Sequence, residues 1–551
     1  MEEHYKRILA DSEKRLVYFL KDQIMDREDP HYGAFADRRG VIEAKVALYD
    51  IETMGACYLC PDSNYYHNRD IFERIMAALS YVSSVQHDNG LFDYVSCNFN
   101  SAPDTAFCLV AIVPLLKYLD KIKRSVDEEA LFVKIRYIIH LGARGIMEGG
   151  FHTPNHRWAI AGMLKFCGSY FNEVEMIKSA DRYLAEGIDC NEDGEYSEKS
   201  AGNYNTVNND AMIMLAEGTG DESYLDNVER NLFMMLHYWE PDGTIFTANS
   251  TRFDKDKKVY PVYYYPEYML LAEKRNIPEF YQMCNSIMDI VRDRNLLAPD
   301  CLIYFLNNPS WRSKEYEESY AYPDYRSFYK NSNIARVKEG NYTYTVMGSK
   351  SDFLYFNAGT IKLALKVGGS FCEHRAFISE TMREEGENGY HLHETMHGWY
   401  YLPWSDEKRP DTNDWWKMDN ACRDKLYGPD LDIDVFVKGS PYKDGIDVRV
   451  VTSSDAVKGA PWRLELAIMG ADFLENSHLA TGLTGGEALT VKDGDIVVSN
   501  DRDAITIGPA FGAHHFMEGK EDSEGRMAGA STVYFTDYTP FDRTIKIRYR
   551  Q

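Results

Sequence analysis

The sequence predicts an α+β multidomain protein: an N-terminal (α/α) toroid followed by a C-terminal domain of packed antiparallel strands. Three observations carry this. Apolar residues recur at three- and four-residue spacing through the first ~300 residues. Loops with a glycine followed by an aromatic residue return about every 50 residues. After residue ~330 the pattern changes to strict polar–apolar alternation.

The helical spacing covers 4–24, 41–59, 70–86, 105–121, 129–147, 156–170, 173–186, 208–217, 222–238, 263–274 and 278–293. Between these helices stand Asn89-Gly90-Leu91-Phe92, Gly149-Gly150-Phe151, Asp193-Gly194-Glu195-Tyr196 and Asp242-Gly243-Thr244-Ile245-Phe246. Glycine just past a helix is expected to act as a C-cap. One helical hairpin per repeat builds a closed toroid or an open solenoid; a toroid gathers the glycine loops at one rim and makes a cleft there. The alternating segments include 342–347, 361–367, 432–438, 447–451, 463–468 and 544–549, with turns at Lys443-Asp444-Gly445, Lys492-Asp493-Gly494 and Ser499-Asn500-Asp501. The stretch 296–335 is rich in Pro, Asn, Ser and Tyr, which places the domains at 1–315 and 330–551.

Composition narrows the partners. The chain has 551 residues and a formal charge of −25, which argues against nucleic acid and anionic membranes, whose binding needs clustered cations. Its 40 Tyr, 26 Phe and 8 Trp offer flat apolar faces with polar edges, the surfaces that hold sugar rings. The N-terminus, Met1-Glu2-Glu3-His4-Tyr5-Lys6-Arg7, lacks an apolar signal core, and no uninterrupted apolar run spans a bilayer, so a cytoplasmic location without a membrane is expected. The ten scattered cysteines are expected to be buried thiols, with Cys57-Tyr58-Leu59-Cys60 structural. A homo-oligomer is left open.

Two clusters in the helical half bear chemistry. In His152-Thr153-Pro154-Asn155-His156-Arg157-Trp158, Thr153 is an N-cap and Pro154 a first helical residue. Asn155, His156 and Arg157 then occupy a first helical turn, where free N–H groups and the dipole favour an anion. Arg157 can bind a carboxylate bidentately, and His156 can act as base or charge stabiliser. The second cluster, Asp193-Gly194-Glu195-Tyr196-Ser197-Glu198-Lys199-Ser200-Ala201-Gly202-Asn203-Tyr204, belongs to the next rim loop and places Tyr204 one repeat beyond His156. Asp104 stands at an expected N-cap, and Arg252 is a further rim cation.

The two-domain layout, Asn155-His156 at a helix start, and Asp193-Gly194-Glu195-Tyr196-x-Glu198 with Tyr204 beyond it resemble the heparinase II/III-like polysaccharide lyases and their alginate-lyase-like relatives. The resemblance implies a toroid followed by an antiparallel β-sandwich and cleavage of a uronic-acid-containing glycan by β-elimination. It implies that Asn155, with Arg157, neutralises the uronate carboxylate, and that His156 and Tyr204 exchange protons. Asp104, Tyr196 and Arg252 would line the substrate. In the β domain so would Glu373, His374, Arg375, His391, His393 and Trp399. The family's His-x-His-x-x-Asp stretch, which can hold zinc, is met here by His391-x-His393 followed by Glu394 and His397, without the Asp; whether His391, His393 and His397 hold a structural or catalytic divalent metal such as zinc or calcium stays open, and no cofactor is assigned. His514-His515 is a weaker site of the same kind.

Elimination removes a C5 proton that is barely acidic beside a carboxylate anion, so cancelling that charge does most to lower the barrier. A tyrosine of pKa ~10 needs nearby cations to serve as base. Two other classes remain. A glycoside hydrolase on the same scaffold would use two of Asp104, Asp193, Glu195 and Glu198 at ~5–9.5 Å. A non-catalytic glycan-binding protein would show aromatics without perturbed titratable groups. Among lyases, exo-action on short imported oligosaccharides is expected.

Overall fold

The computed structural model describes residues 1–150, 153–452, 456–517 and 523–550. The chain forms two compact units, one of Met1–Tyr238 with Gly243–Tyr322 and one of Trp239–Asp242 with Pro323–Gln551.

The first unit is helical. Its helices are α1 (Glu2–Asp22), α2 (Ala44–Leu59), α3 (Arg69–Val85), α4 (Ala102–Lys121), α5 (Val126–Ile146), α6 (Pro154–Phe171), α7 (Val174–Leu184), α8 (Tyr204–Thr219), α9 (Tyr224–Leu236), α10 (Tyr265–Arg275), α11 (Pro278–Asp293) and α12 (Leu302–Asn307). The first eleven lie where the apolar periodicity places them. α12 falls in the stretch read as a linker, because six residues are too few to show a period. α2, α4, α6 and α8 pack side by side in that order, and α12 lies against both α2 and α4. α2, α4 and α6 are buried over most of their circumference, as expected of helices packed against neighbours on several faces. α7, by contrast, buries only Met176, Ser179 and Ala180. α4 is long and apolar enough to cross a membrane by length and composition, and 78% of that window is buried inside the protein.

The recurring glycines do not cap helices. α3 ends at Val85 with Gln86 as its C-cap, and Gly90 instead closes a turn in which its N–H bonds the His87 carbonyl. Gly194 repeats the device with Asn191. Both have positive φ (90° and 95°), and a Cβ would lie 2.1 Å from the Leu141 carbonyl on α5 or 2.4 Å from the Arg230 carbonyl on α9. Each loop is thus pressed onto the backbone of a later helix, and only glycine fits. The segment after Gly90, read as a loop, contains a short hairpin of Phe92–Tyr94 and Asn98–Ser101.

The second unit contains two nine-stranded sheets among the described residues. One runs through Gly389–Tyr401, Lys425–Gly439, Gly445–Thr452 and Asp542–Arg550, with Leu392 opposite Val435 and Val448 opposite Ile545. The other runs through Ile334–Glu339, Tyr342–Met347, Leu354–Ala358, Ile361–Phe371, Pro461–Met469 and Ser531–Tyr538. Alternate residues of both enter one core, among them Leu363, Leu365, Val435, Val437, Val448 and Ile547. The ladders are antiparallel with one exception among the described strands: Ala488–Thr490 runs parallel to Ser531–Tyr538. Trp239–Asp242 groups with this unit through Glu240. Its carboxylate pairs with Arg336 at 2.8 Å, both side chains being almost wholly buried, and accepts from Asn357 Nδ2 at 2.7 Å.

Candidate active site

The site is built at the starts of α6 and α8 and in the loop 249–254. Thr153 occupies the N-cap position of α6, but its hydroxyl does not cap the helix; it accepts from Asn155 Nδ2 at 2.9 Å. The same Nδ2 reaches both carboxylate oxygens of Glu198 at 2.8 Å. Asn155 is wholly buried, and its Oδ1 has no hydrogen-bond partner among the described residues.

Glu198 is 4% exposed. Arg252 Nε lies 3.1 Å from its Oε1, and the Thr251 hydroxyl donates to its backbone carbonyl at 2.9 Å. Burial raises the Glu198 pKa, opposed by the Asn155 hydrogen bonds and the Arg252 charge. The Arg252 guanidinium also lies over the Tyr204 ring, 5.3 Å from its centre, while Phe253 meets that ring edge-on at 5.7 Å. Burial raises the Tyr204 pKa as well, and Arg252 opposes it.

Asp254 fixes this geometry. Its Oδ1 accepts from Ser200 Oγ at 2.8 Å and Ser250 Oγ at 2.6 Å, and its Oδ2 from the Gly202 N–H at 3.0 Å. Ser200 Oγ in turn accepts the Tyr204 N–H at 3.1 Å, holding Tyr204 as the first residue of α8. Next to it, Asn191 Oδ1 accepts the N–H groups of Asp193 and Glu195, and Asn249 Nδ2 holds the Glu195 carboxylate at 2.8 Å.

Asn155, Glu198, Tyr204 and Arg252 therefore meet. Arg157 does not join them: its guanidinium pairs with Glu186 at 2.5 Å and lies 4.0 Å from the Trp158 ring centre. His156 packs against Phe107, ring centres 5.7 Å apart. Phe151 and His152 lie outside the described residues. Asp104 is not the N-cap of α4; Ser101 is, and Asp104 accepts from the Ser101 hydroxyl at 2.5 Å and from Asn98 at 3.1 Å. Tyr196 is fully buried with its hydroxyl on Asn209 Oδ1 at 3.0 Å, so it packs the core and offers no face to a ligand.

In the β unit, Arg375 bonds the Glu373 carbonyl at 2.9 Å, and His374 lies 3.7 Å from Glu394. His391 and His393 share Asp434 Oδ1, at 2.7 and 2.9 Å, and His397 pairs with Asp430 at 3.0 Å. Among the described residues no three His, Cys, Asp or Glu side chains are grouped to hold a metal ion; these histidines lie against carboxylates of the neighbouring strand. Trp399 packs on Tyr401 and under Lys425, 3.7 Å from its ring centre. His514 is buried on the Trp462 and Asp537 carbonyls. Cys57 and Cys60 are buried, as expected, but Cys97, Cys372 and Cys422 are exposed.

Sequence spacing assigns Glu198 a part only as one of a hydrolase pair, and no part to Phe253 or Asp254. The last two lie about 50 residues from the loop they join, with no local spacing to mark them.

No protein-family model and no curated protein sequence matches the chain. Solved structures do. A xanthan lyase from Paenibacillus aligns over all of this chain at TM-score 0.55 and 10% identity. The two chains share a fold. This chain spans 57% of that lyase's length. A chondroitinase AC lyase aligns over 99% of this chain and 82% of its own at TM-score 0.49 and 11% identity. A Streptomyces coelicolor chondroitin AC lyase aligns over 100% and 97% at 0.42 and 10%.

Proposed function

We propose that this chain is a polysaccharide lyase that cleaves a uronic-acid-containing glycan by β-elimination. The observation that carries the reading is the Arg252 guanidinium placed between a buried carboxyl, Glu198, and a phenol, Tyr204, in a fold shared with a xanthan lyase. We take the helical unit as an α/α toroid and the paired sheets as a β-sandwich, in keeping with the heparinase-like resemblance of its motifs.

Arg252 is the cation that meets the uronate carboxylate. Asn155 does not meet it directly; its amide anchors Glu198, and Glu198 aims Arg252. A second carboxylate at Arg252 favours the protonated form of Glu198, whose pKa burial already raises, and so releases the guanidinium charge to the substrate. That charge stabilises the enolate-like state formed as the C5 proton leaves. The phenolate form of Tyr204, which Arg252 favours against the effect of burial, takes the C5 proton; the C4–O4 electron pair departs with O4, a C4–C5 double bond forms, and the phenol returns its proton to O4. His156, one residue from Asn155, is proposed to orient the sugar.

The raised pKa of Glu198 is also the property of a general acid in a glycoside hydrolase. The products decide. Elimination yields an alkene conjugated to the carboxylate, seen as ultraviolet absorbance; hydrolysis yields reducing ends without it. The proposal extends to exo-action on short oligosaccharides, for which solution viscosity falls slowly relative to product formed; an early collapse of viscosity contradicts it.

A further inference from the structure

An open surface pocket lies in the helical unit, at the start of α2. It has a volume of about 360 Å³, and its lining includes Arg39, Glu43, Lys45, Tyr49, Asp50 and Tyr94. That volume is within the usual range for small-molecule sites. Glu43 stands at the N-cap position of α2 yet makes no side-chain cap. It is 5% exposed, and its Oε2 has no hydrogen-bond partner among the described residues. A buried carboxylate oxygen without a donor is costly to keep, and the residue that carries it lines the pocket.

Lys45 Nζ lies 5.0 Å from the Tyr94 ring centre and 5.5 Å from that of Phe107. Arg39 is held by Asp37 at 2.8 Å, whereas Lys45 has no carboxylate within ion-pair distance among the described residues. Tyr49 is 48% exposed and presents a ring at the pocket. Phe107, the ring beneath Lys45, is also the ring that His156 meets. The pocket is therefore one aromatic side chain away from the start of α6.

We propose that Glu43, Lys45, Tyr49 and Tyr94 form a sugar subsite that takes an anionic pyranose unit. The acidic group of the sugar pairs with Lys45, a ring hydroxyl donates to the Glu43 carboxyl, and Tyr49 packs on the ring face. Asp50 and Glu43 are the opposing charges in the pocket; burial raises the pKa of both, Asp50 to about 7, which lessens their repulsion of an anion. The subsite rests on the acidic-glycan reading given above, and it adds that a second negative group is recognised beside the one at Arg252.

The test is equilibrium binding by calorimetry in the Tyr204→Phe background, so that no probe is consumed. Three tetrasaccharides serve as probes: galacturonan, its neutral methyl ester, and sulfated chondroitin. Galacturonan carries carboxylates alone and sulfated chondroitin carries both carboxylates and sulfates, so binding of the first shows that a carboxylate suffices. At least one acidic probe should bind about tenfold more tightly than the neutral ester. Lys45→Ala should lose about that factor, as removal of one charged contact implies, and Lys45→Arg should restore it. Equal affinity of the Lys45→Ala and parent proteins, equal binding of the neutral ester, or no binding of either acidic probe overturns the subsite. Turnover is scored separately with the Tyr204 protein: alkene formation with unchanged affinity in Lys45→Ala rejects the subsite and keeps the lyase, and loss of affinity in Lys45→Ala without alkene formation by any parent protein does the reverse.

Discussion

Replacing Arg252 with alanine probes the electrostatics of the site most specifically. The guanidinium lies 5.3 Å from the centre of the Tyr204 ring. At an effective dielectric of about 20, a unit charge at that distance favours the phenolate by about 3 kcal/mol. The Arg252 side chain is 31% exposed, and solvent screening reduces this to about 1 kcal/mol. Burial and the nearby Glu198 then act unopposed on a phenol whose pKa is already raised. In Arg252→Ala the rise of kcat/KM with pH, which follows formation of the phenolate, should move upward by about one unit. Arg252→Lys should recover part of the shift. The assay is initial-rate alkene absorbance across pH, paired with ultraviolet difference titration of tyrosinate against Tyr204→Phe. An Arg252→Ala profile superimposable on the parent refutes the claim that Arg252 tunes Tyr204.

Three further outcomes follow from other contacts. Asn155→Ala removes the amide that meets both Glu198 oxygens; it should cost about 1–3 kcal/mol of stability and lower kcat/KM, checked by urea unfolding and rate assays. Asp210 on α8 has its pKa raised to about 7 by removal from water, so the folded state holds a proton the unfolded chain has lost. Its stabilising protonation is complete below about pH 4 and is lost as pH rises through about 7. Asp210→Asn should therefore melt a few degrees above the parent near pH 8, with the gap closing toward pH 4; a gap independent of pH contradicts the assignment. Glu240→Gln leaves Arg336 charged and buried, which should cost about 3–5 kcal/mol; a change below about 0.5 kcal/mol in urea unfolding contradicts it.

The sequence disclosed the elements more fully than the site. Helix and strand periods mark α1–α11 and the long strands because each buries a continuous apolar face, which local spacing records. α12 and the hairpin after Gly90 are too short to record one. Asn155, Tyr204 and Arg252 were visible as polar residues at a helix start or a glycine loop. What spacing could not show is direction: Arg157, two residues from Asn155, turns to Glu186 because a first helical turn points successive side chains about 100° apart. Glu198 was visible as a carboxylate, but its place between Asn155 and Arg252 depends on Asp254 tying distant loops together. The β-domain histidines looked like a ligand set because His391 and His393 share a strand face; the aspartates facing them on Lys425–Gly439 become visible only with the register.

The most direct measurement is ultraviolet absorbance during incubation of the parent protein and Tyr204→Phe with a panel of uronic-acid-containing oligosaccharides, the products being checked for reducing ends. The elimination mechanism predicts that the parent forms the conjugated alkene from at least one acidic member, in equal number with new reducing ends, and that the folded Tyr204→Phe protein forms none. New reducing ends without alkene, or full turnover by Tyr204→Phe, would contradict it.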